Sequence, residues 1–102
     1  MNLVVLSPAE LEASEAALWY EEQRSHLGDE FLIEMMSAFD RITRNPDQYP
    51  KLLPGIAGRD LRVCLLRRFP YSVIFECQSE ELIVVAISHG RREPLYGLDR
   101  ID

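Results

Sequence analysis

Only two cysteines, Cys64 and Cys77, occur in the 102 residues. A small secreted domain stapled by disulfides usually carries more, so both read as reduced, buried hydrophobes. The two histidines, His26 and His89, are widely spaced, and with so few cysteines no structural zinc site is expected. No metal and no cofactor is therefore expected. No apolar run approaches the roughly 18 residues of a membrane-spanning helix. The opening MNLVVLSPAE has no basic stretch, and its apolar run is too short for a signal peptide. A cytoplasmic protein with no membrane partner is the expectation. The five glycines build no phosphate-cradling loop: PGIAGRD has neither the spacing nor the lysine of a P-loop. There is no G-x-S-x-G, and no cysteine lies close in sequence to a histidine, so no nucleophilic triad is visible. Repeats, low-complexity tracts and long linkers are also missing, which leaves one domain over 1–102.

What is present is the composition of a folded domain, 47% hydrophobic and 27% charged. The net charge of −6 is unevenly spread. Residues 1–50 hold 3 basic and 10 acidic side chains, or −7, and residues 51–102 hold 8 and 7, or +1. An acidic chain opposes broad nonspecific binding to nucleic acid. A local basic face on the second half remains open.

Residues 3–6, LVVL, read as a strand. Ser7, Pro8 and Glu10 then form a helix start, with Ser7 as N-cap, Pro8 at the first helical position and Glu10 completing a capping box. The first helix is expected from about Pro8 to Ser25, with Leu11, Leu18 and Trp19 or Tyr20 turned inward. Ser25 to Asp29 reads as a short connection. A second helix then reaches about Arg44, with Leu27, Phe31, Leu32, Met35, Ala38, Phe39 and Ile42 on one stripe. The Met35–Met36 pair reads as core. Asn45-Pro46 ends this helix. Residues 45–60 form a loop long for the size of the domain. Three strands follow, Leu61–Phe69, Tyr71–Gln78 and Leu82–His89, the last two joined as a hairpin. LIVVAI at 82–87 is apolar on both faces and marks the central strand. The fold class is α+β: an N-terminal strand and a helical hairpin packed on a small twisted antiparallel sheet.

Three sets of residues carry candidate chemistry. The arginines of the sheet half, Arg62, Arg67 and Arg68 among them, offer planar donor forks for phosphate or carboxylate; they equally suit a solvated strand edge. His89 closes the last strand and is followed by Arg91 and Arg92. An imidazole there serves acid or base chemistry near neutrality, and the arginines stabilise negative charge; a hydrogen-bonded strand-end histidine is the plainer alternative. Tyr71 and Tyr96 suit stacking on bases or simple packing.

In order along the chain, SPAE, AALWYEEQRSHLGDEFL, AFDRITRNPDQYP, RVCLLRRFPYSVIFE and IVVAISHGRREP resemble the RelE/ParE superfamily of toxins from type II toxin–antitoxin systems. The likeness is greatest to the ParE-like, plasmid-stabilisation branch and runs from about Leu3 to Tyr96. It implies the same fold and a cognate antitoxin, with which the toxin forms a hetero-oligomer. It also implies one of two activities. ParE-like members block DNA gyrase by binding. RelE-like members are ribosome-dependent mRNA endonucleases, and some members are non-toxic partner-binding proteins. Carried over to these positions, His89, Arg91 and Arg62 would be the catalytic set if the chain is a nuclease. Arg67, Arg68, Tyr71, Arg92 and Tyr96 would contact the target. The single lysine, Lys51, and the acidic balance oppose docking on ribosomal RNA, and the gyrase reading rests on the likeness to the ParE-like branch.

Overall fold

The computed structural model describes residues 2–52, 58–90 and 100. Strand β1 (Asn2–Val5) runs directly into helix α1 (Ser7–Gln23), and α2 (Leu27–Arg44) returns beside it. A single 3-10 turn (Pro46–Gln48) precedes β2 (Leu61–Leu65), β3 (Tyr71–Cys77) and β4 (Glu81–His89). The sheet order is β1-β4-β3-β2. The last three strands pair antiparallel, as the hairpin reading expects. β1 joins β4 in parallel, with Val5 opposite Val84. The sheet is thus mixed, with one parallel rung at its β1 edge.

Helix α1 departs from the sequence reading in its start and in its inward face. Leu6, not Ser7, is the cap residue, and no side chain caps it. The Leu6 N–H donates to the Val84 carbonyl at 3.1 Å while the Leu6 carbonyl accepts from Glu10 N–H. Pairing with β4 therefore sets where the helix begins, and the capping box does not form. The inward face is alanine: Ala9, Ala13, Ala16 and Ala17 are buried, whereas Leu11, Leu18 and Trp19 are exposed. Only Tyr20 of the larger expected set is drawn into the core. Alanine lets α1 lie close to both α2 and β4, whose Phe and Val side chains supply the bulk.

The connection between the helices is shorter than expected, because α2 already begins at Leu27. His26 sits in the left-handed region at φ 72°, and its side chain does not cap α2. The cap comes from the other helix instead. The Glu21 carboxylate accepts the His26 N–H at 2.9 Å and the Gly28 N–H at 3.0 Å. A Cβ on Gly28 would lie 2.5 Å from the Ala17 carbonyl oxygen, so glycine permits this close crossing. These bonds, that from His26 foremost, lower the Glu21 pKa against the opposing effect of desolvation. A carboxyl with a lowered folded pKa stabilises the fold above the ordinary carboxylate range. That contribution is lost as pH falls through the lowered value. Glu21→Gln is accordingly expected to flatten the acid limb of Tm against pH as the pH falls below the ordinary carboxylate range. An unchanged slope in a thermal-melt series would contradict the cap.

Along α2, Phe31, Met35, Ala38, Phe39 and Ile42 form the expected buried stripe, but Leu32 and Met36 are exposed. With Val73, Phe75, Leu82, Val84 and Ile87 this stripe builds the main core. A bulge shifts the β3–β4 register between Ile74 and Phe75. Val85 and Ala86 consequently both join a second cluster, with Leu61 and Ile74, on the sheet face away from the helices. Around these residues that face is apolar and buried, and the open basic face that the charge distribution allowed is not seen there. β4, with strands on both sides and seven consecutive buried residues, is the central strand.

Candidate functional site

The bulge decides where His89 points. Before it, Leu82 and Val84 face the helices, and after it Ile87 does. Two residues further on, His89 shares that side and lies on the rung with Tyr71. The two rings meet edge to face, with centroids 5.2 Å apart. Tyr71 continues into an aromatic cluster with Phe31 at 5.3 Å and Tyr20 at 6.2 Å. Burial and, to a lesser degree, Tyr71 raise the Tyr20 pKa, so its phenol stays neutral. A cleft of about 240 Å³ lies between α1 and this end of β4, lined by Glu12, Glu15, Trp19, Tyr71 and His89 among others.

Two further residues at this edge escaped the sequence reading. β1 ends at Val5, opposite Val84, so among the described residues β4 continues beyond it without a strand partner on that side. The Glu12 carboxylate accepts the Ile87 N–H at 3.0 Å. Arg100 donates to both Glu12 oxygens, at 2.9 and 3.0 Å, and to the Val85 carbonyl at 3.0 Å. Helical periodicity marks Glu12 as one of many solvated carboxylates, and no local pattern marks Arg100.

Arg62 stands apart from His89, while Arg68, in the turn at the His89 end of the sheet, is held by α2. Arg62 pairs with Phe75 on the sheet, four residues from Tyr71, or about 13 Å along the strand. Its guanidinium donates to Asp60 at 2.9 Å and to the carbonyls of Asp47 and Tyr49 at 3.1 and 2.8 Å. The Asp60 carboxylate, above all, holds this guanidinium firmly protonated. Arg62 thereby ties the 3-10 turn to β2. Arg68 lies in the β2–β3 turn at the Tyr71 end of the sheet, where it bonds Glu30 of α2 at 2.7 Å and covers the Phe69 ring. Arg67 is exposed, and its backbone N–H donates to Glu34, which also accepts the Arg68 N–H. Glu34 thus caps the turn after β2, which ends at Leu65 rather than Phe69. Arg59 pairs with the buried Glu76 at 2.5 Å on the far face. Cys64 is buried, and Cys77 has its thiol pKa raised by burial and then by Asp60. Arg91, Arg92 and Tyr96 lie outside the described residues.

The family model for the ParE toxin of the type II toxin–antitoxin system, parDE, matches residues 4–94. The chain belongs to this family. It is therefore a ParE-type toxin, and membership implies an antitoxin partner. Among solved structures, a chain of the chromosomal ParDE toxin–antitoxin system from P. aeruginosa superposes with a TM-score of 0.68 at 16% identity. The match covers 87% of this chain and 95% of that one, and at such identity it speaks for the fold. The curated proteins contain no significant match. No helix among the described residues of this ParE toxin is long and apolar enough to cross a membrane.

Proposed function

We propose that this ParE-family toxin acts by binding, blocks DNA gyrase, and is neutralised by a cognate antitoxin. The observation that supports binding over RNA cleavage is the separation, among the described residues, of Arg62 from His89, two of the three candidate catalytic side chains. Cleavage at a ribose 2′-hydroxyl needs a base, an acid and a charge-stabilising cation within hydrogen-bond reach of one phosphodiester. Arg62 is committed to Asp60 and two carbonyls. Arg68 is committed to Glu30, and His89 stands against Tyr71. A protein surface contacted by scattered groups needs no such convergence.

The test is pulse-labelling after induction of this chain alone. Thymidine incorporation is expected to fall within minutes, ahead of amino-acid incorporation, and purified toxin is expected to inhibit gyrase supercoiling. The Arg91→Ala, Arg92→Ala double variant is expected to lose both effects. An earlier fall in amino-acid incorporation would favour the ribosomal nuclease, and no fall in either would mark a non-toxic partner-binding member.

A further inference from the structure

Beside the buried stripe of α2, a second stripe of the same helix stays at the surface. Phe31, Met35, Ala38 and Ile42 turn into the core. Glu30, Ile33, Glu34, Ser37 and Arg41 follow one another at three- and four-residue steps next to them, so they share one strip of the helix. The β2–β3 turn lies against this strip. A depression of about 330 Å³ opens between the two, lined also by Arg67 and Arg68.

Both carboxylates in the depression are already bonded. Glu34 accepts the backbone N–H groups of Arg67 and Arg68. Glu30 accepts the Arg68 guanidinium at 2.7 Å and that of Arg24, just past the end of α1, at 3.4 Å. The Arg68 hydrogen bond, ahead of several weaker effects, holds the Glu30 carboxyl below its ordinary range, so it stays ionised and paired. Arg41 donates to the Ser37 hydroxyl at 3.1 Å. The guanidinium of Arg67 is different: it is exposed, and no acceptor among the described residues takes a hydrogen bond from it. Among the described residues, four arginines thus share two carboxylates, on a chain whose net charge is −6. Positive charge gathered against the sign of the whole chain suits an anionic partner. Ile33, 69% exposed, stands among these charges.

The lining decides between classes of anionic partner. A nucleic acid gains nothing from Ile33, finds no exposed ring on which to stack a base, and approaches against the field of an acidic chain. A protein segment matches each feature: its carboxylates accept the planar donor fork of Arg67, and an apolar side chain covers Ile33. We infer that the depression between α2 and the β2–β3 turn is a docking site for an acidic segment of a partner protein, one that sets an apolar side chain among its carboxylates. The inference concerns this surface and does not depend on whether gyrase is the toxin's target.

The probe is a short fluorescein-labelled peptide of aspartates and glutamates around a single leucine, titrated with the full chain and read by anisotropy. The same peptide with asparagine and glutamine in place of the acids is the control. Saturable binding of the acidic peptide is expected, at least about tenfold tighter than the control and weakened by salt. Arg67→Glu is expected to weaken it by a similar factor with an unchanged circular dichroism spectrum, since that guanidinium bonds nothing in the fold. Ile33→Ser, also expected to weaken it, serves if that variant misfolds. Lys51→Glu makes the same change in net charge on the exposed Lys51, opposite Arg62 toward the start of β2, and is expected to leave binding unchanged. No binding of the acidic peptide, equal affinity for the control, or an equal loss in Lys51→Glu would overturn the inference. So would tighter binding of a labelled DNA oligonucleotide that Arg67→Glu releases, or self-association that Arg67→Glu abolishes, which would assign the surface to nucleic acid or to a second copy. Pulse-labelling reads the target and this titration reads the surface, so failure of one is distinguishable from failure of the other.

Discussion

Val84→Asp is expected to leave no cooperative thermal melt. Val84 is fully buried in β4, with Val5 of β1 on one side and Phe75 of β3 on the other. Its carbonyl also receives the Leu6 N–H that positions the start of α1. An aspartate there meets only apolar side chains from both neighbouring strands and the helices. Ionised, it is an uncompensated buried charge; protonated, it is still an unsatisfied polar group. Costs from this mechanism reach about 4–5 kcal/mol or more, against a total margin of roughly 5–15 kcal/mol for a domain of this size. Circular dichroism and calorimetry read the result directly. A native-like cooperative melt would mean that this position is not the centre of the core.

Phe31→Ala is the second large effect, expected at about 3–5 kcal/mol. Phe31 is fully buried and touches three rings: Tyr20 stacked at 5.4 Å, Phe69 at 5.2 Å and Tyr71 at 5.3 Å edge to face. Truncation removes the shared wall of that cluster, and the helix that carries Phe31 is fixed too tightly at Gly28 to collapse onto the cavity. A fall in Tm of more than about 12 °C is expected. Because Tyr71 also supports His89, the same variant is expected to loosen that end of β4, visible as faster amide exchange at His89. A loss below about 1 kcal/mol would show that the ring cluster contributes little beyond ordinary surface packing.

Much of the fold was legible because it rests on local chemistry. Pro46 ends α2, the apolar stripe through Phe31, Met35 and Ile42 has helical period, and the unbroken run 82–87 can only be a strand buried on both faces. The family likeness was carried by contiguous segments and is matched over residues 4–94. The site was less legible. Sequence grouped Arg62, Arg67 and Arg68 as one set on the Leu61–Phe69 strand, but β2 ends at Leu65, and Arg62 and Arg68 are held by different carboxylates.

The amino-acid sequence by itself determined the order of strands and helices, the central position of β4 and the toxin family, since periodicity and contiguous motifs are properties of neighbouring residues. Tertiary structure alone decided which stripe of α1 turns inward. Ala9, Ala13 and Ala16 compete with Leu11 and Leu18 for the same periodicity, and the close approach of α2 and β4 admits only the smaller side chains. It also decided where His89 points, because one bulge residue opposite Ile74 and Phe75 reverses the alternation of β4. And it decided that Glu12 and Arg100, 88 residues apart, meet on β4 beyond the end of β1. Each of these depends on how far apart two elements lie, a distance that no local sequence pattern encodes.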